Sequence, residues 1–350
     1  MKKVLYLFNQ PRIDDIKMIE RGERSDGHLY GMRVINKYGI DAGYIEIEKY
    51  FPLWFCVFLR KHILNIYLVH LPLFLLFFKY DIVFSPTAFG SLFLKSLLFM
   101  SKPKWVVYDF SIVGLIGKGQ TLKERIFRWM ISKTDGIITL CEKEAELLRE
   151  MFPSKKDKIC FIPYSVDDSF FKPQNLNEGN NILSVGIDVG RDHKTLLEAC
   201  KDIDTKVVIS GDQKKFRKLG ELPSNIKAVR FDPLELLRQY EIAKIIVIPL
   251  DITGGKNDAM GCSTLVEAMI MGKAIIVTRT PTMESYIDNM INGILVNQGD
   301  SEDMKDAILY LLNNEEKRKE LGKKAREFAL KNLTKGKGAE MMASYFKSFV

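Results

Sequence analysis

The chain has 350 residues, of which 47% are hydrophobic and 27% are charged, a composition typical of folded proteins and not of disordered ones. A chain of this length predicts two domains rather than a single core. The five cysteines are scattered and never adopt Cys-x-x-Cys spacing, which argues against a disulfide framework or a zinc cluster and favours reduced thiols in the cytosol.

The net charge of +8 is unevenly distributed along the chain. Residues 1–165 contain 25 Lys and Arg against 17 Asp and Glu, whereas residues 166–350 contain 27 of each kind. The whole excess therefore lies in the first half, which favours an anionic partner there: membrane lipid, a phosphorylated acceptor or nucleic acid. Nucleic acid is disfavoured because no zinc-finger spacing, RNA-binding aromatic motif or basic heptad region is present.

Short apolar runs alternate with helical stretches from the amino terminus onward. In the first half they predict strands over 4–8, 43–47, 81–85, 104–109, 136–140 and 158–162, and helices over 29–38 and 122–133. The pattern restarts after the irregular segment 163–180, with strands over 181–186, 206–211, 226–231, 244–250, 273–278 and 293–296, and helices near 195–200 and 232–243. Residues 301–350 are nearly all helical in pattern. The alternation predicts an α/β protein of two doubly wound domains with parallel sheets.

Two apolar segments bear on secretion and on membrane contact. The run 4–8 ends abruptly at Asn9, which predicts a first strand rather than a signal peptide. The most apolar stretch, 50–81, is split by Arg60 and Lys61, so it is too interrupted to span a bilayer. Apolar residues framed by cations favour a helix that dips into an anionic leaflet, with a buried core helix or a protein interface as the alternatives. His62 and His70, inside this stretch, are expected to be packing or interface residues.

Loops that follow strands are where doubly wound sheets bind ligands. After the strand 104–109 a loop is expected over 110–120, and its glycines 114, 117 and 119 do not fit the dinucleotide-binding spacing. In the second half, Gly190, Arg191 and Lys194 precede one helix, and a glycine-rich loop ending in Gly261 precedes another. Glycines, cations and a helix start are the parts of an anion site.

Glu267 lies one turn inside the second of these helices and has two interpretations. Thr264-x-x-Glu267 fits a capping box, in which each side chain bonds a backbone N–H at the helix start. Alternatively, the helix start binds a phosphate and Glu267 reaches a neighbouring sugar hydroxyl.

Several other polar residues are considered as candidates for metal or acceptor binding. Asp202 and Asp204 precede a strand instead of following one, and the four histidines share no ligand spacing, so no metal site is expected. Asp109, at the end of a strand, is either a helix cap or an acceptor-site carboxylate. The long polar loop 9–28 ends in Gly27 and His28, which are candidates for the acceptor side.

Four segments of the second half, in order, resemble the retaining, nucleotide-sugar-dependent glycosyltransferases of family 4. They are PYSVDDSFFKP (163–173), SVGIDVGRDHKTLLEA (184–199), VIPLDITGGKNDAMGCSTLVEAMIMGKAIIVT (247–278) and ESYIDNMINGILVNQGD (284–300). The resemblance implies the GT-B fold, two facing Rossmann-like domains. Residues 1–165 would bind the acceptor, residues 166–335 the nucleotide sugar, and the C-terminal helix 336–350 would pack back on the first domain.

The resemblance also implies roles for individual residues. Glu267 matches the glutamate that bonds the ribose hydroxyls, while Gly261, Ser263 and Thr264 match the helix start that binds the diphosphate. Arg191 and Lys194, after Gly190, match the cationic pair that neutralises the leaving diphosphate. The family's other glutamate would fall at Ala259, and Asp258, one residue earlier, is the candidate for its contact with the donor sugar.

The expected activity is transfer of a sugar, first of all from a UDP-sugar, to a lipid or lipid-linked glycan. The reaction would take place at the cytosolic face of the cell membrane in cell-envelope synthesis, without a metal or other cofactor. Two alternatives stay open. The missing glutamate is consistent with a catalytically weak GT-B scaffold or regulatory subunit, and a sugar-nucleotide epimerase shares the architecture.

Overall fold

The computed structural model describes residues 1–62, 70–86, 89–109, 112–174, 178–186, 190–211, 216, 220–253 and 259–349. These residues divide into two compact units. Unit 1 consists of 1–21, 28–163 and 336–350, and unit 2 of 22–27 and 164–335. The C-terminal residues thus group with the first unit, and the short segment 22–27, which the sequence interpretation assigned to the first domain, groups with the second.

Each unit contains one six-stranded parallel sheet. In unit 1 the spatial order is β2-β1-β3-β4-β5-β6, with strands β1 Lys2–Tyr6, β2 Ile40–Tyr44, β3 Ile82–Ser85, β4 Lys104–Tyr108, β5 Gly136–Thr139 and β6 Ile159–Phe161. In unit 2 the order is β12-β11-β10-β7-β8-β9, with β7 Asn181–Val185, β8 Lys206–Ser210, β9 Ile226–Val229, β10 Ile245–Ile248, β11 Ala274–Thr278 and β12 Ile294–Val296. Every predicted strand is present, and the predicted α/β fold of two doubly wound parallel sheets is confirmed.

Helices connect the strands. In unit 1 they are α1 Ile13–Glu20, α2 Leu53–His62, α3 Phe89–Leu97, α4 Ile112–Ile116, α5 Leu122–Ser132 and α6 Glu142–Met151. In unit 2 they are α7 His193–Cys200, α8 Pro233–Ile242, α9 Cys262–Ile270, α10 Ser301–Asn313 and α11 Glu315–Asn332, and α12 Lys335–Lys347 completes the helical carboxyl terminus. Among the described residues, no helix combines the length and the apolar character that crossing a bilayer requires.

The central strands are buried on both faces because helices cover both sides of each sheet. All five residues of β11 are buried, as are all four of β10, whose Ile246 pairs with Ile275. Burying one such aliphatic side chain contributes about 1.5–3 kcal/mol relative to leaving it in water. The β-branched runs that predicted these strands are therefore also the core of unit 2. In unit 1 the largest fully buried side chains include Trp105, Tyr6 and Phe77.

Three local predictions are wrong. The predicted helix 29–38 is replaced by short 3-10 segments, Gly27–Leu29 and Ile35–Tyr38, because Tyr30 and Gly31 both take positive φ angles, which an α-helix does not accommodate. The loops predicted over 9–28 and 110–120 instead contain α1 and α4. Helix α1 is stabilised at its start by Glu46, whose carboxylate accepts hydrogen bonds from the backbone N–H groups of Arg12 and Ile13, the second at 3.0 Å.

The C-terminal helix α12 packs on the sheet of unit 1. The ring of Phe346 contacts those of Phe84 and Tyr6, at centroid distances of 5.7 and 6.4 Å. The Tyr345 hydroxyl donates a hydrogen bond to the carbonyl oxygen of Lys158 at 2.6 Å. The predicted helical tail is therefore present and forms part of the hydrophobic packing of that unit.

Candidate functional site

The sheet of unit 2 reverses its strand order beside β7. Strands β8 and β9 lie on one side of β7, and β10, β11 and β12 on the other. Such a reversal opens a crevice beyond the carboxyl ends of the strands, and doubly wound proteins bind ligands there. The loop after β7 leads to Arg191 and α7, and the loop after β10 leads to Gly261 and α9. The two predicted anion-binding loops therefore meet at one place.

Arg191 is held at this crevice by contacts on several sides. It is 7% exposed, and its Nη2 donates a hydrogen bond to Thr264 Oγ1 at 3.0 Å. A Cβ atom at Gly186 would overlap the guanidinium, so the absence of a side chain at that position lets the cation lie against the end of β7. The backbone around Arg191 bridges to Leu250, which ties the two loops together.

Gly190 has a packing role beside Arg191. Its carbonyl oxygen accepts a hydrogen bond from the Asp251 N–H at 2.8 Å, and any Cβ there would overlap the side chain of Met260. The glycine therefore allows the two loops to approach closely. Lys194 is exposed on α7, where Asp192 caps the helix by accepting the Thr195 N–H at 3.1 Å. The structure thus brings Arg191 to the crevice, whereas the side chain of Lys194 lies in solvent.

The start of α9 also lies at the crevice and begins at a left-handed glycine. Gly261, the residue before the helix, has φ 87°, and no side chain in the described part of the chain caps the helix there. Glycine takes this left-handed conformation without steric cost. Ser263 is exposed and Thr264 is buried in the first turn. A helix start with no capping side chain presents N–H groups and the positive end of the helix dipole to a ligand.

The capping-box interpretation of Glu267 is wrong. The helix begins at Cys262, so Thr264 is already inside it, and its hydroxyl bonds Arg191 instead of a backbone N–H at the helix start. Glu267 is held by a different residue: the Tyr240 hydroxyl donates a hydrogen bond to its Oε2 at 2.9 Å. Tyr240, on α8, is fully buried and its ring packs edge-on against that of Phe171.

The ionisation of Glu267 is perturbed by this environment. Burial raises its pKa to about 7, and the hydrogen bond from Tyr240 and the charge of Arg191 act in the opposite direction. A carboxyl with a pKa near neutrality beside a buried cation is a frequent property of binding and catalytic sites.

Tyr240 and Gly186 escaped the sequence analysis. Tyr240 lies in an ordinary amphipathic helix 27 positions before its partner, and nothing in the local pattern indicates the contact. Gly186 ends a strand in the way that many glycines do, so only the folded chain reveals the guanidinium beside it.

The other predicted site residues lie elsewhere. Asp258 falls outside the described residues. Asp109, fully buried in unit 1, accepts the Ile112 N–H with Oδ1 at 2.5 Å, the contact expected of a helix cap. Gly27 groups with unit 2, and the nearest atoms to a Cβ at that position would belong to Ser25 and Tyr164.

His28 groups with unit 1, where it belongs to a polar cluster near the carboxyl end of β1. Its Nε2 lies 3.3 Å from Asp15 Oδ2, and that oxygen also accepts a hydrogen bond from Arg12 Nη1 at 3.0 Å. Strand β1 is where the sheet of unit 1 reverses its order, so this cluster occupies the equivalent position in the other unit. Among the described residues, no group of three or more His, Cys, Asp or Glu side chains could hold a metal ion.

Comparison with known proteins gives the same family from two directions. The model of the group 1 glycosyl transferases matches residues 165–328, and the model of glycosyltransferase family 4 matches residues 34–170. A glycosyltransferase of Methanocaldococcus jannaschii is 30% identical over 144 residues, 39% of this chain and 39% of its own length. An N-acetyl-α-D-glucosaminyl L-malate synthase of Bacillus anthracis is 28% identical over 127 residues, 36% of this chain and 33% of its own length. The matched part of the chain thus spans less than half of each of these relatives.

Solved structures resemble the whole chain. HepE of Anabaena, in complex with UDP-glucose, has a TM-score of 0.71 at 12% identity and is covered over 100% of both chains. The sucrose-phosphate synthase of Thermosynechococcus elongatus has a TM-score of 0.69 at 16% identity, with 99% of this chain and 98% of its own covered. At such identities the likeness concerns the fold. With the two family models extending over both units, the chain belongs to the group 1 glycosyltransferases of family 4 and has the GT-B fold.

Proposed function

We propose that the protein is a retaining glycosyltransferase that uses a nucleoside-diphosphate sugar, a UDP-sugar first of all, as its donor. The observation that carries this proposal is the grouping of three features at the strand reversal of unit 2. They are the buried Arg191 guanidinium, the helix start at Gly261, which no described side chain caps, and the Glu267 carboxyl one turn further along α9. UDP-glucose in the HepE complex supports the choice of donor class.

Each of these groups suits one part of such a donor. Departure of the sugar leaves additional negative charge on the diphosphate. A fixed guanidinium and the N–H groups of a helix start stabilise such charge without reorganising. The Glu267 carboxylate is an acceptor for the ribose hydroxyls, and Tyr240 fixes its orientation. In this scheme the chain's own residues carry the charge stabilisation, and we propose that the reaction needs no metal ion.

For the acceptor we propose a lipid or lipid-linked glycan, bound by unit 1 at the cytosolic face of the cell membrane during cell-envelope synthesis. Helix α2 supports a membrane contact, since Trp54, Val57 and Phe58 are 71%, 45% and 48% exposed. Apolar side chains at this exposure in a positively charged half of the chain suit an anionic bilayer surface. Arg12, Asp15 and His28 are the candidates for contacts with the acceptor.

A donor screen tests the proposal. Thermal unfolding of the full chain would be followed with UDP-, GDP- and ADP-sugars, and donors that stabilise it would then be assayed for release of nucleoside diphosphate, with and without EDTA. We expect one nucleotide class to raise the unfolding temperature by mass action and to be hydrolysed slowly in either condition. Absence of both stabilisation and hydrolysis for every donor would refute the proposal.

A second candidate function, a binding scaffold or regulatory subunit, is favoured by one observation. Ala259 occupies the position of a family glutamate and is 7% exposed. A scaffold would bind the nucleotide sugar and be stabilised by it, but would release no nucleoside diphosphate with any acceptor. The two functions therefore differ in turnover and not in binding.

A further inference from the structure

The carboxyl end of α3 exposes three consecutive apolar side chains. Leu97, Leu98 and Phe99 are 52%, 58% and 83% exposed, and we refer to them as the α3 tip. Phe99 has φ 49°, in the left-handed region that a residue just after a helix commonly adopts when it is glycine. A bulky side chain in this conformation costs conformational free energy. Burial of the ring could offset that cost, but the ring of Phe99 lies in solvent.

The topology places the α3 tip at the edge of the sheet where the strands of unit 1 begin. Helix α3 connects β3 to β4, and a helix between parallel strands runs back from their carboxyl ends to their amino ends. Lys102 follows Phe99 by three residues, so their Cα atoms lie within about 11 Å. The α3 tip and the first residues of β4 therefore share this amino edge.

Cations and a further aromatic ring surround the same edge. Lys2, Lys102 and Lys104 line a shallow cavity of about 640 Å³ together with Phe78, which is 54% exposed. Asp81 also lines it, but its carboxylate accepts the backbone N–H of Lys3 at 2.8 Å. Lys104 bonds Asp135 at 3.0 Å. Even when Asp135 is counted with Asp81, the three ammonium groups outnumber the two carboxylates, which makes the cavity suited to anions.

Protruding apolar side chains framed by lysines match one class of partner best. An anionic bilayer offers an apolar layer for the tip and phosphates for the lysines at a single surface. A protein partner would require a broad complementary area, commonly about 800 Å² on each side, and three consecutive side chains at a helix end offer little of it. The excess positive charge of residues 1–165 would attract the chain to the same surface.

We propose that the amino edge of unit 1 docks on anionic membranes, with the α3 tip inserted between lipids and Lys2, Lys102 and Lys104 at lipid phosphates. This inference rests on the proposed membrane-surface function and adds the amino edge of unit 1 to the contact proposed for helix α2. The strained Phe99 is then explained, because insertion of its ring would offset the cost of its backbone conformation.

Vesicle co-sedimentation of the full chain tests the inference. We expect at least tenfold stronger binding to phosphatidylcholine vesicles that contain 30% phosphatidylglycerol than to pure phosphatidylcholine, and weaker binding in high salt. The double change Leu98→Asp and Phe99→Asp should reduce binding to the anionic vesicles at least tenfold, and Lys102→Glu should reduce it several-fold. The matched control is Leu122→Asp, which should leave binding unchanged. Leu122 is 74% exposed and is the first residue of α5, whereas the α3 tip lies at the carboxyl end of its helix.

Phe99→Gly separates docking from stability. Glycine suits the left-handed backbone, so this variant should unfold at a higher temperature than the parent chain while binding anionic vesicles more weakly. Unchanged vesicle binding in both this variant and the double variant would overturn the inference. Donor hydrolysis without lipid is measured in parallel: hydrolysis without vesicle binding refutes the docking alone, and vesicle binding without hydrolysis refutes the transferase proposal alone.

Discussion

Each sheet reverses its strand order at its first strand, β1 in unit 1 and β7 in unit 2, but the start of α1 and the start of α9 are built differently. In unit 1 the start of α1 is occupied by the protein's own Glu46 carboxylate, which accepts the N–H groups of Arg12 and Ile13. In unit 2 the start of α9 has a left-handed glycine, and no described side chain caps it. A helix start already filled by a carboxylate does not attract a second anion. Asp192 fills the start of α7 in the same way. The contrast between α9 and these two helices supports the proposal that unit 2 binds the phosphates at α9, and it leaves unit 1 with an arginine, a histidine and a carboxylate suited to a hydroxyl-bearing acceptor.

The largest expected effect follows from removing the buried cation of unit 2. Arg191→Ala should reduce turnover of the donor by about 10²–10³-fold, the usual consequence of losing one preorganised group that stabilises developing charge. Binding of the nucleoside alone should change little. The measurement is kcat for donor hydrolysis together with the Kd of the free nucleoside.

Lys194→Ala is the matched control for this change. It removes a cation of the same loop that lies in solvent, and surface substitutions of this kind are usually within about 0.5 kcal/mol. Equal losses of turnover in the two variants would show that Arg191 has no special role.

Glu267→Ala tests the carboxylate that the family resemblance of the sequence associates with the ribose of the nucleotide. We expect nucleoside binding to weaken by about 1–3 kcal/mol, because a hydrogen bond to a charged group is lost. Isothermal calorimetry would measure the affinity, and thermal unfolding would establish that the variant is folded. Unaltered nucleoside affinity in a folded Glu267→Ala protein would exclude the ribose contact.

Gly261→Asp would make the start of α9 resemble that of α1. A carboxylate placed there should lower the affinity for nucleoside diphosphate about tenfold, which corresponds to about 1.4 kcal/mol and lies within the range of charge effects at helix ends. Gly261→Asn is the control of equal size, since asparagine also tolerates a left-handed backbone and adds no charge. If the two variants bind the diphosphate equally, charge at the helix start does not govern binding.

The smallest expected effect is the change of nucleoside affinity with pH. Because the pKa of Glu267 is about 7, its carboxylate form becomes dominant as the pH rises from about 6 to 8, and nucleoside affinity should rise several-fold over this interval. Tyr240→Phe removes a hydrogen bond that lowers this pKa, so the midpoint of the affinity profile should move to higher pH. Uridine is the appropriate probe, because it has no phosphate that titrates in this range. An unmoved midpoint would mean that Tyr240 does not position the carboxylate.

The same pKa has a consequence for stability with the opposite sign. A carboxyl whose pKa is higher in the folded state, here about 7 against an ordinary 4.5, binds its proton more tightly there. The stabilisation of the folded state by this tighter proton binding is complete below about pH 4.5 and is lost as the pH rises to 7. Glu267 thus lowers the unfolding free energy in the pH range in which it should bind nucleoside best.

The strands could be predicted from the sequence because burial on both faces demands continuous β-branched runs, such as Ala274–Thr278. Arg191 and Glu267 could be placed because the loops after parallel strands converge at one edge of a sheet. Helix α1 could not be predicted, because the residue that caps it, Glu46, lies just after a different strand. The same holds for the contact between Tyr240 and Glu267, which depends on how two helices pack and leaves no trace in the local pattern.

The length of the strands in unit 1 determines how far the acceptor hydroxyl must extend from a membrane at the amino edge. Strand β1 has five residues, so the Cα atoms at its two ends lie about 13 Å apart. A membrane at the amino edge would then be separated from the loops at the carboxyl edge by more than the thickness of one headgroup layer, which is about 6 Å. A hydroxyl group on the lipid itself would stay near the headgroup layer and would not reach the loops at the carboxyl edge. We therefore expect the acceptor to carry an extended glycan between its lipid anchor and the hydroxyl that receives the sugar.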